Sequence, residues 1–395
     1  MKVKSIKNVK NLKGKRVLVR VDYNLPFNGG DIDFKENARI KASLETIKFL
    51  LNEGAIIILI AHLDRPDHWD KEYTLKPIAK YLEKLLKQKV NFLENNILKE
   101  LPKIEKGIYM LENIRFYKEE YKNDKKFAKR LASLGNLYVN DAFSVSHRDS
   151  ASVSSVTNFL PTYAGIFLEK ELNHLSRTCS KNIKKDNRPY VAVVGGAKIA
   201  TKIKLIDSLL KTADRVLLGG ALIIEILNHQ GVDIGKSHVS SRVSKKYLDK
   251  LLKNKKLLLP VDVVVGNIDD DKHARVVRLL RVKKVCQSGE DILDIGPQTI
   301  RDFSAEIKKA QTIVWNGPMG YFEMSIFAYG TKALAQVIAM RGKGKAYAVV
   351  GGGETVASLN QIKMAKYVDW VSTGGGAMLA FLGGEKMPGL KKIIK

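Results

Sequence analysis

Two lysines four residues apart, Lys198 and Lys202, follow the glycine pair Gly195-Gly196, which ends the apolar run Val191-Ala-Val-Val194. Ammonium groups at i and i+4 of a helix reach over the same turn. Glycines let backbone N–H groups come close to a ligand. A helix start adds unpaired N–H groups and a partial positive charge, so the stretch suits a phosphate. Read alone, it fits a phosphate clamp and equally a plain strand, turn and helix with two solvated lysines.

A second group of chemistry-bearing residues lies in the first half. Asp22 and Asn24 follow the apolar run 16–21, and His62 and Arg65 follow 55–61. Asn113 and Arg115 follow 108–111; Asn140, Asp141, His147 and Arg148 follow 137–139; Arg39 opens the amphipathic stretch 38–51. Ligands of open α/β sheets collect beyond the carboxyl ends of the strands. Arginine's planar fork matches phosphate or carboxylate oxygens. A single arginine at a strand end is usually structural, but Arg39, Arg65, Arg115 and Arg148 together favour an anion pocket. In the second half the corresponding positions carry glycines: Gly195-Gly196, Gly219-Gly220, Gly317 to Gly320, Gly351 to Gly353 and Gly374 to Gly376. Backbone amides there can approach a nucleotide's phosphates. Glu354 stands at a helix start, where it can meet a metal or cap the helix. The two halves therefore offer an arginine rim for a small polyanion and a glycine rim for a nucleotide. The reaction that joins them is phosphoryl transfer.

These residues need elements to position them. Short apolar runs alternate with longer stretches of helical period, which predicts a parallel sheet covered by helices on both sides. The pattern restarts at Val191 and continues through 215–218, 256–259, 312–315, 346–350 and 368–371. The fold class is α/β, with two Rossmann-like lobes joined by a hinge helix. A helix over 163–175 carries the lobe boundary, and a helix over 198–210 follows the glycine pair. Gly231-Val-Asp-Ile-Gly235-Lys236-Ser237 has three residues between its glycines where a P-loop needs four, and reads as a surface loop. Asp269-Asp-Asp271 reads as a surface turn. No G-x-G-x-x-G follows a strand, which argues against a dinucleotide-binding oxidoreductase.

The chain has 395 residues, enough for two or three domains. Its 68 basic and 41 acidic residues leave a net charge of +27, which keeps nucleic acid in view as a rival partner. The lysines are scattered in mixed runs such as 117–126, however, and no nucleic-acid motif is present. Cys179 and Cys286 cannot build a disulfide framework. The N-terminus lacks a signal-peptide core, and no apolar run approaches the roughly 18 residues of a membrane span.

The motifs resemble those of phosphoglycerate kinases. They are Arg20-Val-Asp22-Tyr-Asn24-Leu-Pro26, His62-Leu-Asp-Arg65-Pro66, Leu111-Glu-Asn-Ile-Arg115-Phe116, Asn140-Asp-Ala-Phe143 with His147-Arg148, and Gly195-Gly-Ala-Lys198. Asp294-Ile-Gly-Pro297, Trp315-Asn-Gly-Pro-Met-Gly320 with Phe322-Glu323, Gly351-Gly-Gly353 and Ser372-Thr-Gly-Gly-Gly376 complete the series. The resemblance implies reversible transfer from 1,3-bisphosphoglycerate to ADP, giving 3-phosphoglycerate and ATP, with Mg²⁺. It implies a cytosolic, monomeric glycolytic enzyme. It implies a phosphoglycerate-binding domain over 1–168 with a returning segment 376–395, and a nucleotide-binding domain over 169–375. Asp22, Asn24, Arg39, His62, Arg65, Arg115 and Arg148 match the phosphoglycerate site. Lys202, Gly219, Asn316, Glu323, Gly351, Gly352, Gly353 and Glu354 match the nucleotide site, with Glu354 on the metal. Arg39, Lys198, Lys202 and Gly375 match positions around the transferred group. The acceptor is an ionised carboxylate, so positioning and charge neutralisation during hinge closure replace a general base. Four positions depart from the pattern. Asp64 and Ala221 stand where glycine is usual, Glu354 where aspartate is usual, and Ser150 where a second histidine is common.

Overall fold

A computed structural model of the chain describes residues 1–28, 31–66, 68–94, 104–179, 183–197, 199–237, 239 and 243–395. It divides into two compact units, Met1–Asn173 with Lys386–Lys395, and His174–Glu385.

The first unit is built on six parallel strands. Their order is Val90–Leu93, Ile108–Leu111, Ile56–Ile60, Arg16–Arg20, Leu137–Asn140 and Thr162–Ala164. Arg20 pairs in register with Ile60 on one side and Asn140 on the other, so the central strands end level and share one carboxyl edge. Alternate residues enter different cores. Val17, Val19, Ile57 and Leu59 pack with Ile40, Ile47 and Leu50 of helix Ala38–Asn52. Leu18, Ile58, Ile60 and Tyr138 pack with Phe127 and Leu131 of helix Lys125–Ala132. Burial on both faces is why these strands are unbroken apolar runs. Each such side chain contributes about 1.5–3 kcal/mol on leaving water. The C-terminal residues pair with the N-terminal ones. The Lys4 N–H donates to the Ile393 carbonyl at 2.9 Å, and the Lys395 N–H to the Lys2 carbonyl at 2.9 Å.

The second unit repeats the plan. Its parallel strands run in the order Leu257–Leu258, Arg215–Leu218, Tyr190–Val194, Thr312–Asn316, Tyr347–Gly351 and Trp370–Ser372. Asn316 pairs in register with Val194 and Gly351, so three strands again end level. Val191, Val193, Ile313, Trp315 and Val350 form a core with Phe303 and Ile307 of helix Pro297–Lys309 and with Leu334 and Ile338 of helix Tyr329–Arg341.

Three local features differ from expectation. A three-stranded antiparallel sheet, with Asp262–Gly266 between Ala274–Arg278 and Asp291–Ile295, was not anticipated. Its outer strand Ala274–Arg278 is half exposed and lacks the buried apolar run that marks the other strands. The stretch 163–175 is not one helix: strand Thr162–Ala164 precedes helix Ile166–Ser176. The helix expected over 198–210 starts later. A 3-10 turn covers Ile199–Thr201, and the α-helix runs Ile203–Thr212 with Lys202 at its N-cap position. The i, i+4 argument for the lysine pair therefore does not apply, and Lys198 itself lies outside the described residues.

Candidate functional site

In the first unit, the loops leaving the level strand ends hold one another through polar side chains. Asp22 is nearly buried and pairs with Arg39, whose Nη1 lies 3.1 Å from Asp22 Oδ2. Arg39 also donates to the Asn24 carbonyl at 2.7 Å. Asn24 Oδ1 accepts the Asp64 N–H at 2.7 Å, and the Asp64 carbonyl accepts from Arg115 Nη1. The fully buried Asn113 side chain pins the same loops: its Nδ2 donates to the carbonyls of Leu63 and Tyr73, and its Oδ1 accepts the Arg115 N–H at 3.1 Å. Asp64, one of the departures, has φ +49°. That left-handed conformation is the one glycine adopts freely and aspartate tolerates. Its backbone serves the site while the residue as a whole is exposed.

Electrostatics binds these residues into one cluster. Arg115, seated against the Tyr121 ring, is brought down to about 10 by burial and by the nearby charges of Arg148, Arg20 and Arg65. Arg148 is lowered by burial and by Arg65, with Asp22 opposing. His62 is buried and held well below the ordinary imidazole value by that burial and by Arg20, Arg115, Arg148 and Arg39. Guanidinium groups that depress one another in the free protein are relieved by an anion. The structure thus gathers Asp22, Asn24, Arg39, His62, Arg65, Arg115 and Arg148, and adds Arg20, which the sequence reading left out. Its sequence signals are a charge as the last residue of an apolar strand and its place at the head of the motif Arg20-Val-Asp22-Tyr-Asn24-Leu-Pro26.

In the second unit, Lys202 is buried, and its Nζ donates to Asn316 Oδ1 at 2.7 Å. Burial brings its ammonium down to about 8, with Glu354 opposing. Gly196 and Gly317 leave the room this amine occupies. A Cβ on them would lie 3.0 and 2.6 Å from Nζ, and both have positive φ, +97° and +95°. Asn316 Nδ2 donates to the Gly351 carbonyl at 2.9 Å, and the Gly317 N–H to Thr355 Oγ1 at 2.7 Å. Glu354 is exposed in the first turn of helix Gly353–Gln361. Gly375 sits at the turn between strand Trp370–Ser372 and helix Gly376–Leu382.

Beside this lattice is a cavity of about 710 Å³. Gly196, Gly220, Glu323 and Glu354 line it, with an apolar wall from Ile223, Ile224, Ile268, Ile292, Leu293 and Met319. Lys202, Gly219, Asn316 and Gly351 to Gly353 are not on its surface. Lys236 and Ser237, from the segment set aside as a surface loop, do line it. That segment remains no P-loop, but it folds over the cavity. Ser237 Oγ accepts the Ile292 N–H at 2.9 Å, fixing it to the antiparallel sheet that the sequence reading missed. Among the described residues no group of three or more His, Cys, Asp or Glu side chains is placed to hold a metal ion. A single carboxylate such as Glu354 therefore suits only a cation that takes most of its ligands from phosphate and water.

The family model for phosphoglycerate kinase matches residues 6–385. A phosphoglycerate kinase of Wolbachia sp. subsp. Brugia malayi is 41% identical over 401 residues, covering 98% of each chain. "Phosphoglycerate kinase 3, cytosolic" of Arabidopsis thaliana is 40% identical over 392 residues, covering 96% of this chain and 95% of its own. Among solved structures, the phosphoglycerate kinase of Coxiella burnetii superposes with a TM-score of 0.83 at 37% identity, covering 99% of this chain and 98% of its own. That of Pyrococcus horikoshii superposes with a TM-score of 0.82 at 30% identity, covering 98% of both chains.

Proposed function

The chain belongs to the phosphoglycerate kinase family, and from that premise we propose which of its residues carry the reaction. The chemistry is a phosphotransfer to a carboxyl group: 1,3-bisphosphoglycerate and ADP exchange reversibly with 3-phosphoglycerate and ATP. The arginine rim binds the phosphoglycerate, and the cavity with its glycine-lined edge binds the nucleotide. The observation that carries this division is the gathering of Arg20, Arg65, Arg115 and Arg148 at one carboxyl edge, where burial and neighbouring guanidiniums lower both Arg115 and Arg148, set against an apolar wall in the cavity of the other unit.

Towards ATP, a β-phosphate oxygen of ADP forms a bond to phosphorus while the bond from phosphorus to the acyl oxygen breaks. The leaving group is a carboxylate, so no proton moves and no base is required. What the reaction needs is alignment and neutralisation of the moving charge. Arg39 is the guanidinium assigned to the transferred group. Its tie to the Asn24 carbonyl holds it in place. Lys198 and Gly375 are assigned to the same group by their motifs. Lys202 is assigned to the terminal phosphate of the nucleotide, and its lowered ammonium regains its charge preference when a phosphate arrives. Glu354 would hold Mg²⁺, whose bound form neutralises phosphate charge. Direct transfer also requires the two substrates to meet in line with water excluded. Small-angle scattering with and without both substrates tests that step.

The cytosol and a monomeric state complete the reading. Cys179 and Cys286 are free, and the Arabidopsis relative is named as cytosolic. No helix among the described residues is long and apolar enough to cross a membrane. Light scattering on a sizing column checks the monomer. The decisive assay couples ADP formation from 3-phosphoglycerate and Mg·ATP to NADH oxidation. Turnover dependent on both substrates is expected, and its absence in folded protein would remove the reading.

A further inference from the structure

Arg20 is 2% exposed, and all three of its guanidinium nitrogens make contacts inside the first unit. Its Nε donates to Ser152 Oγ at 3.0 Å, and its Nη1 to the carbonyls of Val21 at 2.5 Å and Ile60 at 3.4 Å. Its Nη2 lies 3.0 Å from His62 Nδ1. A guanidinium has only donors, so Nδ1 has to accept. A neutral ring with a bare Nδ1 carries its proton on Nε2.

The placement of Arg20 is set further back. Ser152 Oγ donates to Glu120 Oε1 at 2.7 Å, and the Ser152 N–H donates to Oε2 at 2.7 Å. Ser150, which replaces the second histidine of the motif, donates its hydroxyl to Oε1 at 2.8 Å. The Ser152 proton is therefore committed to Glu120, and its oxygen lone pairs are left for Arg20. Glu120 is 3% exposed, so it is a buried negative charge one hydroxyl removed from a buried positive one. Such a chain polarises along its length.

We propose that Glu120, through Ser152 and Arg20, acts as a positioning residue that fixes His62 as a neutral imidazole with its proton on Nε2, making it a permanent hydrogen-bond donor of the anion rim. The proposal rests on the reading of that rim as the phosphoglycerate site. The charged groups facing His62 are Arg20 from its own sheet, Arg39 from helix Ala38–Asn52, Arg115 from the turn Ile114–Phe116 and Arg148 beyond the last rim strand. All four are cations, so all oppose an imidazolium, and no pH-dependent switch is built here.

The test is a two-bond proton–nitrogen spectrum of the full chain labelled in its histidines, with His62 assigned by the signal lost in His62→Gln. The expected pattern has Nδ1 unprotonated and Nε2 protonated, unchanged from about pH 5.5 to about pH 8. A protonated Nδ1, or a ring that titrates in that window, overturns the proposal. In Glu120→Gln and Ser152→Ala the His62 signals should move towards a tautomer mixture. The KM for 3-phosphoglycerate should rise about tenfold while the nucleotide KM holds. Arg20→Lys should not restore the pattern, because an ammonium cannot span the same acceptors. Loss of thermal stability with unchanged His62 signals would make Glu120 merely structural and overturn its role. If Glu120→Gln does not fold, the spectrum of the unaltered chain and Ser152→Ala still decide. The spectrum is recorded without substrate, so the relay and the site reading fail separately. Should added 3-phosphoglycerate leave every rim histidine unmoved, the site reading falls while the tautomer result stands.

Discussion

The rim of the first unit is made of side-chain charge, whereas that of the second is made of backbone and one buried ammonium. Arg39, Arg115 and Arg20 are each tied to a backbone carbonyl, of Asn24, Asp64 and Val21 respectively, so the loops decide where the charges point. In the second unit the decisive feature is missing bulk. Gly196 and Gly317 leave the space in which Lys202 Nζ meets Asn316. The contrast fits the ligands proposed for the two units. A small polyanion is matched by planar forks. A nucleotide presents a phosphate chain that backbone amides can follow and a base that an apolar wall can cover.

The largest effect should come from the charge assigned to the reacting group. Arg39→Ala is expected to lower kcat about 10²–10³-fold with the nucleotide KM unchanged in a steady-state assay. A kcat within a few-fold of the parent would take Arg39 away from the transferred phosphoryl. Lys202→Met comes next. It removes the ammonium from Asn316 Oδ1 and should weaken nucleotide binding by about 1.5–3 kcal/mol, read by calorimetry, while 3-phosphoglycerate binds as before. Comparable losses for both ligands would erase the division of labour between the units. Arg115→Ala is the mirror experiment. Its KM for 3-phosphoglycerate should rise about tenfold or more with nucleotide binding intact.

Smaller effects probe the backbone half. A methyl on Gly351 would run into the sulfur of Met378, whereas one on Gly353 meets nothing within 4 Å. Urea unfolding should show Gly351→Ala destabilised by about 1–3 kcal/mol and Gly353→Ala changed by no more than about 0.5 kcal/mol. Equal values would mean the glycines are not there for space. The last comparison is pH. Lys202 sits at about 8 when buried and free, so nucleotide affinity should fall as pH rises through that value. Arg115, at about 10, keeps its charge, and 3-phosphoglycerate affinity should stay flat over the same range. The sign for folding is opposite. The folded Lys202 releases its proton more readily than an ordinary lysine, so its burial penalises the fold at neutral pH. That penalty fades as pH rises from about 8 towards 10.5.

The parts of the site legible from sequence share one property: each is reported by its own neighbours in the chain. Strand runs such as Ile56–Ile60 are apolar throughout because both faces are covered. The residues just past them are polar because the sheet edge is where ligands gather. Arg20 escaped because nothing nearby says that a charge ending a buried strand will find Ser152 and His62. Lys236 and Ser237 escaped for a similar reason. Their place over the cavity depends on the antiparallel sheet around Asp291–Ile295, whose outer strand Ala274–Arg278 is too exposed to announce itself. The helix start expected at 198 falls later, because the α-helix begins only at Ile203, after a 3-10 turn.

The sequence by itself determined two parallel α/β sheets, the arginine and glycine edges, and the family to which they belong, because period, charge and motif spacing are local properties of the chain. Tertiary structure alone decided which carbonyl steers each guanidinium, how deeply Lys202 is buried, and which distant segments close the cavity. Those outcomes depend on groups far apart in the chain sharing a low-dielectric interior, where a hydrogen bond or a charge acquires its weight only from what surrounds it.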